Sequence, residues 1–239
     1  MSSGAIFDIK ELTVHDGPGV RVTVFFQGCP LRCLWCHNPE GLSATPPIRV
    51  IKSRDLAALI KKNAEILQYL KGGVTISGGE PLMQSEFLLD TLNELRPLHR
   101  VLQTSGYGDE RTFVQALECC ELVHFDLKLM SSDLHQRFTG KDNALILSNL
   151  EHLKASGKDF VVRMPMIPGV NIDELHFSNV AEELDSARDR VTIELLPYNP
   201  LAGAKYPKFN MEYTFVPEQK EQSYPVHIFE KAGLQYKVL

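Results

Sequence analysis

The chain has 239 residues, 44% of them hydrophobic and 23% charged, with a formal net charge of −5. That is enough for one substantial core, and the mild acidity gives no electrostatic reason to expect nucleic acid or an anionic membrane surface as partner. No apolar stretch approaches the roughly 20 residues needed to span a bilayer, and the first residues lack the short apolar run of a signal sequence, so a cytoplasmic protein is expected.

Residues 5–10 alternate enough for a short strand, and His15-Asp16-Gly17-Pro18-Gly19 is a turn whose glycines permit tight backbone. The apolar, β-branched run Val20–Phe26 predicts a strand that leads into a loop bearing Cys29, Cys33 and Cys36. Residues 39–47 read as irregular. Ser53 is expected to cap a helix in which Leu56, Leu59, Ile60 and Leu67 recur at helical spacing. Gly73–Gly78 reads as a buried strand, and 84–96 as an amphipathic helix stopped by Pro97. The alternation repeats: strand 99–104, helix 110–117, strand 122–127, helices within 131–156, strand 160–164, helix 172–184 and strand 191–196. A last helix near 218–232 and a strand at 234–238 complete it. Strands separated by helices imply parallel βαβ units. No repeat, low-complexity tract or linker divides the chain, so one domain over 1–239 is expected.

A parallel sheet built this way carries its reactive groups on loops at the carboxyl ends of the strands. The motifs follow that rule. The cysteines come after the first parallel strand, Gly78-Gly79-Glu80 after the second, Gln103-Thr104 after the third and Asp126-Leu127-Lys128 after the fourth. Arg163 and the stretch to Gly169 follow the fifth, and Pro197-Tyr198-Asn199 the sixth.

Three thiols inside eight residues can wrap one face of a metal or an iron–sulfur cluster while leaving a coordination position open. His37 could complete a structural zinc site instead. Gly78-Gly79-Glu80 offers backbone that a ligand can approach, or a tight turn with a solvated glutamate. Asp126 and Lys128, two apart, share a strand face, as ligand contacts or as a solvated ion pair. Arg163 in a buried strand needs a carboxylate partner or a ligand. Cys119 and Cys120 read as packed apolar groups, with a vicinal redox pair as the alternative, and the remaining histidines show no metal-ligand spacing.

The spacing CxxxCxxC followed by His-Asn resembles the radical S-adenosylmethionine (SAM) superfamily. Asp16-Gly-Pro-Gly-Val-Arg21, Phe25 to Asn38, Ser77-Gly-Gly-Glu-Pro81, Asp126-Leu-Lys128, Ile167-Pro-Gly169 and Glu194 to Asn199 narrow it to the glycyl radical enzyme activating enzymes, the group containing pyruvate formate-lyase activating enzyme. The resemblance implies an α/β fold, a partial (β/α)6 TIM-type barrel, with the cluster loop at 28–38 and no inserted ferredoxin-like segment. It implies a 4Fe–4S cluster on Cys29, Cys33 and Cys36 whose fourth iron holds SAM. SAM contacts would come from Trp35, Gly78, Gly79, Glu80, Thr104, Asp126, Lys128, Arg163 and Asn199. The activity implied is reductive cleavage of SAM to methionine and a 5′-deoxyadenosyl radical that takes hydrogen from a glycine of a partner enzyme, with a flavodoxin or ferredoxin-type reductant and a monomer when free.

Asp16, in a turn expected at the same rim, and His37 resemble positions that contact the incoming glycine loop; for Asp16 an ordinary Asx turn is the competing reading. Two departures stand out. Gln103 replaces an acid that many relatives carry, which would weaken a monovalent cation site near SAM, and Asn199 replaces a histidine. A radical SAM enzyme acting on a small molecule or peptide, and a non-catalytic zinc module, are the rival functions.

Overall fold

The computed structural model describes residues 1–43, 45–218 and 223–239. No helix among them is long and apolar enough to cross a membrane. Residue contacts divide the chain into two compact units, one formed by Met1–Pro30 with Glu40–His124 and the other by Leu31–Pro39 with Phe125–Leu239.

The first unit is a sheet with helices packed on it. Its strands are β1 (Ser3–Thr13), β2 (Arg21–Phe26), β3 (Arg49–Lys52), β4 (Gly73–Gly78) and β5 (His99–Thr104), and its helices α1 (Ser53–Lys61), α2 (Ala64–Tyr69), α3 (Ser85–Glu94) and α4 (Glu110–Glu118). β1 lies antiparallel between β3 and β2, whereas β2, β4 and β5 run parallel. Side chains alternate across a strand, so Val22, Val24, Phe26, Val74 and Ile76 share one fully buried face. Phe26 meets Phe87 of α3 there, ring centroids 4.8 Å apart. Each such side chain contributes about 1.5–3 kcal/mol on burial.

Thr23 and Thr75 belong to the opposite face, and they explain where Asp16 goes. Thr23 Oγ1 donates to Asp16 Oδ2 at 2.7 Å, and Thr75 Oγ1 donates to the Asp16 carbonyl at 2.7 Å. The turn holding Asp16 therefore packs at the amino ends of β2 and β4, where Arg21 pairs with Gly73, and not at the rim expected from sequence. Arg21 closes the same corner. Its buried guanidinium donates to Thr75 Oγ1 and to the carbonyls of Pro18, Val74 and His99, and burial lowers its pKa to about 10 against the opposing pull of Asp16 and Glu121. Arg21→Met is expected to cost about 2 kcal/mol, because a carbonyl that loses one donor keeps a second lone pair for the ladder and suffers less than an orphaned N–H. Urea unfolding measures it, and a loss under about 0.5 kcal/mol would mean that these bonds give no net stability.

β6 (Leu122–Asp126) carries the chain into the second unit. That unit contains α5 (Ser132–Thr139), α6 (Ala144–Ala155), β7 (Phe160–Met166), α7 (Glu174–Leu184), β8 (Val191–Pro197), α8 (His227–Ala232) and β9 (Gln235–Val238). β7, β8 and β9 are parallel neighbours. Phe177 of α7 stacks on Phe229 of α8 at 4.8 Å. Asp109 and Asp173 cap α4 and α7 by accepting from Thr112 N and His176 N, at 2.8 and 2.9 Å, each worth about 1 kcal/mol.

Several boundaries differ from expectation. β3 runs straight into α1, so Ser53 is a helical residue and not its cap; Lys52 holds the cap position without a side-chain bond. The helix expected from 218 begins only at His227, after Pro225, which cannot donate within a helix; residues 219–222 lie outside the described residues. Ala202–Phe209, for which the sequence suggested no regular element, forms a 3₁₀ stretch that contains Pro207.

Candidate functional site

In the first unit, two backbone segments meet behind the first cysteine. Glu80 N donates to the Gly28 carbonyl at 2.8 Å and Gly79 N to that of Phe26 at 2.8 Å. A Cβ on Gly78 would stand 2.1 Å from the Phe26 carbonyl, and one on Gly79 2.3 Å from that of Gly28. Both glycines are thus required by the chain's own backbone, which packs the end of β4 against the residue preceding Cys29. Glu80 is completely buried. Its Oε1 accepts from Thr104 Oγ1 at 2.6 Å and Leu82 N at 3.1 Å, and its Oε2 from Ser105 N at 2.8 Å and Ser105 Oγ at 2.5 Å. A carboxylate offers about four lone-pair sites, and all are taken. Burial pushes the Glu80 carboxyl above the ordinary range while the hydroxyls of Ser105 and Thr104 pull it back. Glu80 joins the ends of β4 and β5; sequence alone had offered a solvated glutamate or a ligand contact.

In the second unit the cysteine loop hangs on a helix end. Arg32 N donates to the Thr139 carbonyl at 2.6 Å and Leu34 N to that of Phe138 at 3.0 Å, satisfying carbonyls left open at the end of α5. The loop then turns on itself, Cys36 N donating to the Cys33 carbonyl at 3.0 Å. Trp35 is buried among Leu129, Ile167, Phe138 and Phe215. Burial raises the Cys33 thiol to about 12, with Lys128 pulling down and Cys36 and Asp126 pushing further up. Lys128 Nζ lies 3.3 Å from Asp126 Oδ2 in a largely buried ion pair, so the solvated alternative fails. The other carboxylate oxygen, Asp126 Oδ1, is buried with no hydrogen-bond partner among the described residues.

Arg163 finds a carboxylate: its Nε donates to Glu194 Oε2 at 2.8 Å across the β7–β8 pair, and Lys237 holds Glu194 Oε1 at 2.9 Å. Asn199 is exposed, and its Oδ1 accepts from Leu201 N at 2.9 Å in a local turn. His37 is exposed and Gln103 half-buried. Asn171, which sequence did not flag, is fully buried: its Oδ1 accepts from Ile167 N, and its Nδ2 donates to the carbonyls of Lys128 and Pro165. It ties the Asp126-Leu-Lys128 segment to the Ile167-Pro-Gly169 turn. In sequence its one signal was an asparagine shortly after the Pro168-Gly169 pair. Among the described residues no three His, Cys, Asp or Glu side chains already stand together as a metal site, so the ligand assignment rests on the thiols' spacing and chemistry.

The pattern described as the Radical SAM superfamily matches residues 23–178. The trans-4-hydroxy-L-proline dehydratase activating enzyme of Clostridioides difficile is 30% identical over 87% of this chain and 88% of its own length. The pyruvate formate-lyase-activating enzyme of Clostridium pasteurianum is 34% identical over 89% and 90%. The chain belongs to the radical SAM superfamily, in its glycyl radical enzyme activase family.

A solved domain of a pyruvate-formate lyase-activating enzyme from Bacteroides vulgatus, 31% identical, covers 70% of this activase and 99% of its own chain at a TM-score of 0.58. A radical SAM methyltransferase from Sphaerobacter thermophilus, 15% identical, covers 99% of this chain and 77% of its own at 0.61 and shares the fold. The α/β, partial-barrel expectation holds.

Membership of this family brings a 4Fe–4S cluster and SAM as cofactors. The activase's residues suit them. Three cysteines in CxxxCxxC supply soft thiolates and no fourth protein ligand of the same kind. The orphaned Asp126 Oδ1 is a buried acceptor in want of a donor, which the ammonium or a ribose hydroxyl of SAM would supply. The zinc-module alternative falls with this assignment.

Proposed function

We propose that this activase installs the glycyl radical of a formate-lyase-type partner, drawing its electron from a flavodoxin or ferredoxin-type reductant in the cytoplasm and working as one domain. Alignment with the Clostridium pasteurianum enzyme takes 220 positions, whereas alignment with the hydroxyproline dehydratase activase takes 268, more than the 239 residues of this chain. The shorter form fits a protein with one cluster loop and no inserted ferredoxin-like segment.

The observation that carries the site reading is the unpartnered Asp126 Oδ1 beside Lys128 in the unit that holds Cys33. Cys29, Cys33 and Cys36 would hold the cluster. When bound, it supplies one-electron reduction of SAM, whose adenosyl fragment takes hydrogen from the partner's glycine. Asp126, through its unpartnered Oδ1, and Lys128, through its ammonium, would hold the polar end of SAM. Arg163 is aimed by Glu194, which fixes its Nε. Gly78 and Gly79 contribute main chain, Thr104 is oriented by Glu80, and the carboxylate of Glu80 acts on SAM only through that orientation. Trp35 and its aromatic neighbours keep water out. Asn199 would border SAM and His37 would receive the glycine loop, whereas Asp16, held by Thr23 at the amino ends of β2 and β4, takes no part.

The reading is tested by anaerobic reconstitution with iron and sulfide, then incubation with SAM, reductant and a formate-lyase-type enzyme. A glycyl doublet in the electron paramagnetic resonance (EPR) spectrum of the partner is expected. SAM cleavage with no doublet on any glycyl radical enzyme, but with conversion of a small molecule, would replace it. Lys128→Ala should weaken SAM binding about 10-fold or more, the worth of a hydrogen bond to a charged group, with iron content unchanged. The opposite pattern, normal affinity and lost iron, would make Lys128 structural.

A further inference from the structure

We infer that Tyr206 is a positioning residue for the third cysteine of the loop, the fixed point of a strap that grips the loop's far half; this rests on the reading of Cys36 as a cluster ligand. The buried phenol of Tyr206 donates to the main-chain carbonyl of Cys36 at 2.9 Å. Lys205, the residue before it, reaches Asn38 Oδ1 at 3.4 Å. Two successive residues of the 202–209 stretch therefore hold the loop on either side of His37. The near half of the loop is held differently, by the amides of Arg32 and Leu34 on the end of α5.

The strap is itself rigid. The Tyr206 ring meets the edge of Tyr213 at 4.9 Å, and the Tyr213 and Tyr198 hydroxyls lie 3.0 Å apart. A Cβ on Gly203 would stand 2.8 Å from the Tyr213 ring, so the turn must carry glycine there. Pro207 adds stiffness immediately after Tyr206 by fixing φ. A hydrogen bond to a ligand's peptide group, delivered from a packed aromatic cluster, is the kind of outer contact that sets how firmly a ligand is presented; losing one typically costs 10–100-fold in metal affinity.

Tyr206→Phe keeps the ring and removes only the donor. In reconstituted enzyme without SAM, iron release to a chelator is expected to run on the order of 10-fold faster than in wild type, and the EPR signal of the reduced cluster to shift. In the protein before reconstitution, exchange of the amide hydrogens at residues 36–38 should quicken while α7 is unchanged. Phe209→Ala, on the exposed side of the strap, should leave both at wild-type values. Wild-type rates of release and exchange in Tyr206→Phe, with Cys36→Ser depleted of iron, would overturn this inference alone. A Cys36→Ser variant that keeps its full iron would overturn the ligand reading and this inference together.

Discussion

Cys33→Ser is expected to abolish SAM cleavage, by at least about 100-fold, and to strip most of the iron, while the fold survives. A serine hydroxyl is a hard, weakly acidic donor where a soft thiolate is needed. The expected loss of stability is small, because Cys33 is a partly buried group at the edge of the Trp35, Leu129 and Ile167 cluster, and a hydroxyl in that setting costs about 1–3 kcal/mol. Cys33→Ala, which introduces no polar atom, should lose the iron equally and cost less stability. Iron analysis, a methionine-release assay and circular dichroism read the three quantities. Retention of SAM cleavage by Cys33→Ser would refute the ligand assignment.

Glu80→Ala is expected to show the opposite signature, a large loss of stability of about 3–5 kcal/mol. The change would strand the Leu82 and Ser105 amides in a buried cavity, remove the partner of two hydroxyls, and release the end of β5 from the end of β4. For a chain of this length that lowers Tm by about 10 °C. Glu80→Gln keeps the shape but sets an NH₂ against groups that donate, so about half the loss is expected.

The pH dependence has a definite sign. A carboxyl raised in the folded state binds its proton more tightly there than in the unfolded chain. Its contribution is therefore complete below the ordinary glutamate range and fades as pH rises through the folded-state titration. Denaturant midpoints measured across that range should decline less in Glu80→Gln than in wild type. If Glu80→Ala instead left Tm unchanged and only weakened SAM binding, the carboxylate would be a ligand contact and not a joint.

Much of this was legible in sequence, for a physical reason. Central parallel strands are buried on both faces and read as continuous apolar runs, so Gly73–Gly78 and His99–Thr104 match their expected limits. What escaped depends on partners far along the chain. β3 has mostly exposed side chains and is a strand only because β1 pairs with it. The acceptors of Glu80 are saturated by residues 24 and 25 positions away, which no local pattern reveals. Asp16 could be recognised as a motif residue, yet its placement at the amino ends of β2 and β4 is set by two threonines on different strands. Tyr206 and Asn171 lay outside every predicted element, and their importance is entirely tertiary.

The mooring of residues 32–34 on the carbonyls of Phe138 and Thr139 makes the loop hostage to a helix terminus more than a hundred positions downstream. That terminus depends on Gly140, which adopts φ +79 and would stand 3.5 Å from Arg32 Cβ if it carried a Cβ of its own. A bulky residue at Gly140 would thus damage oxidation-sensitive chemistry without altering a single ligand. Genetic screens for lost radical activity should recover lesions there, conditional on temperature, alongside the obvious ones in the thiols.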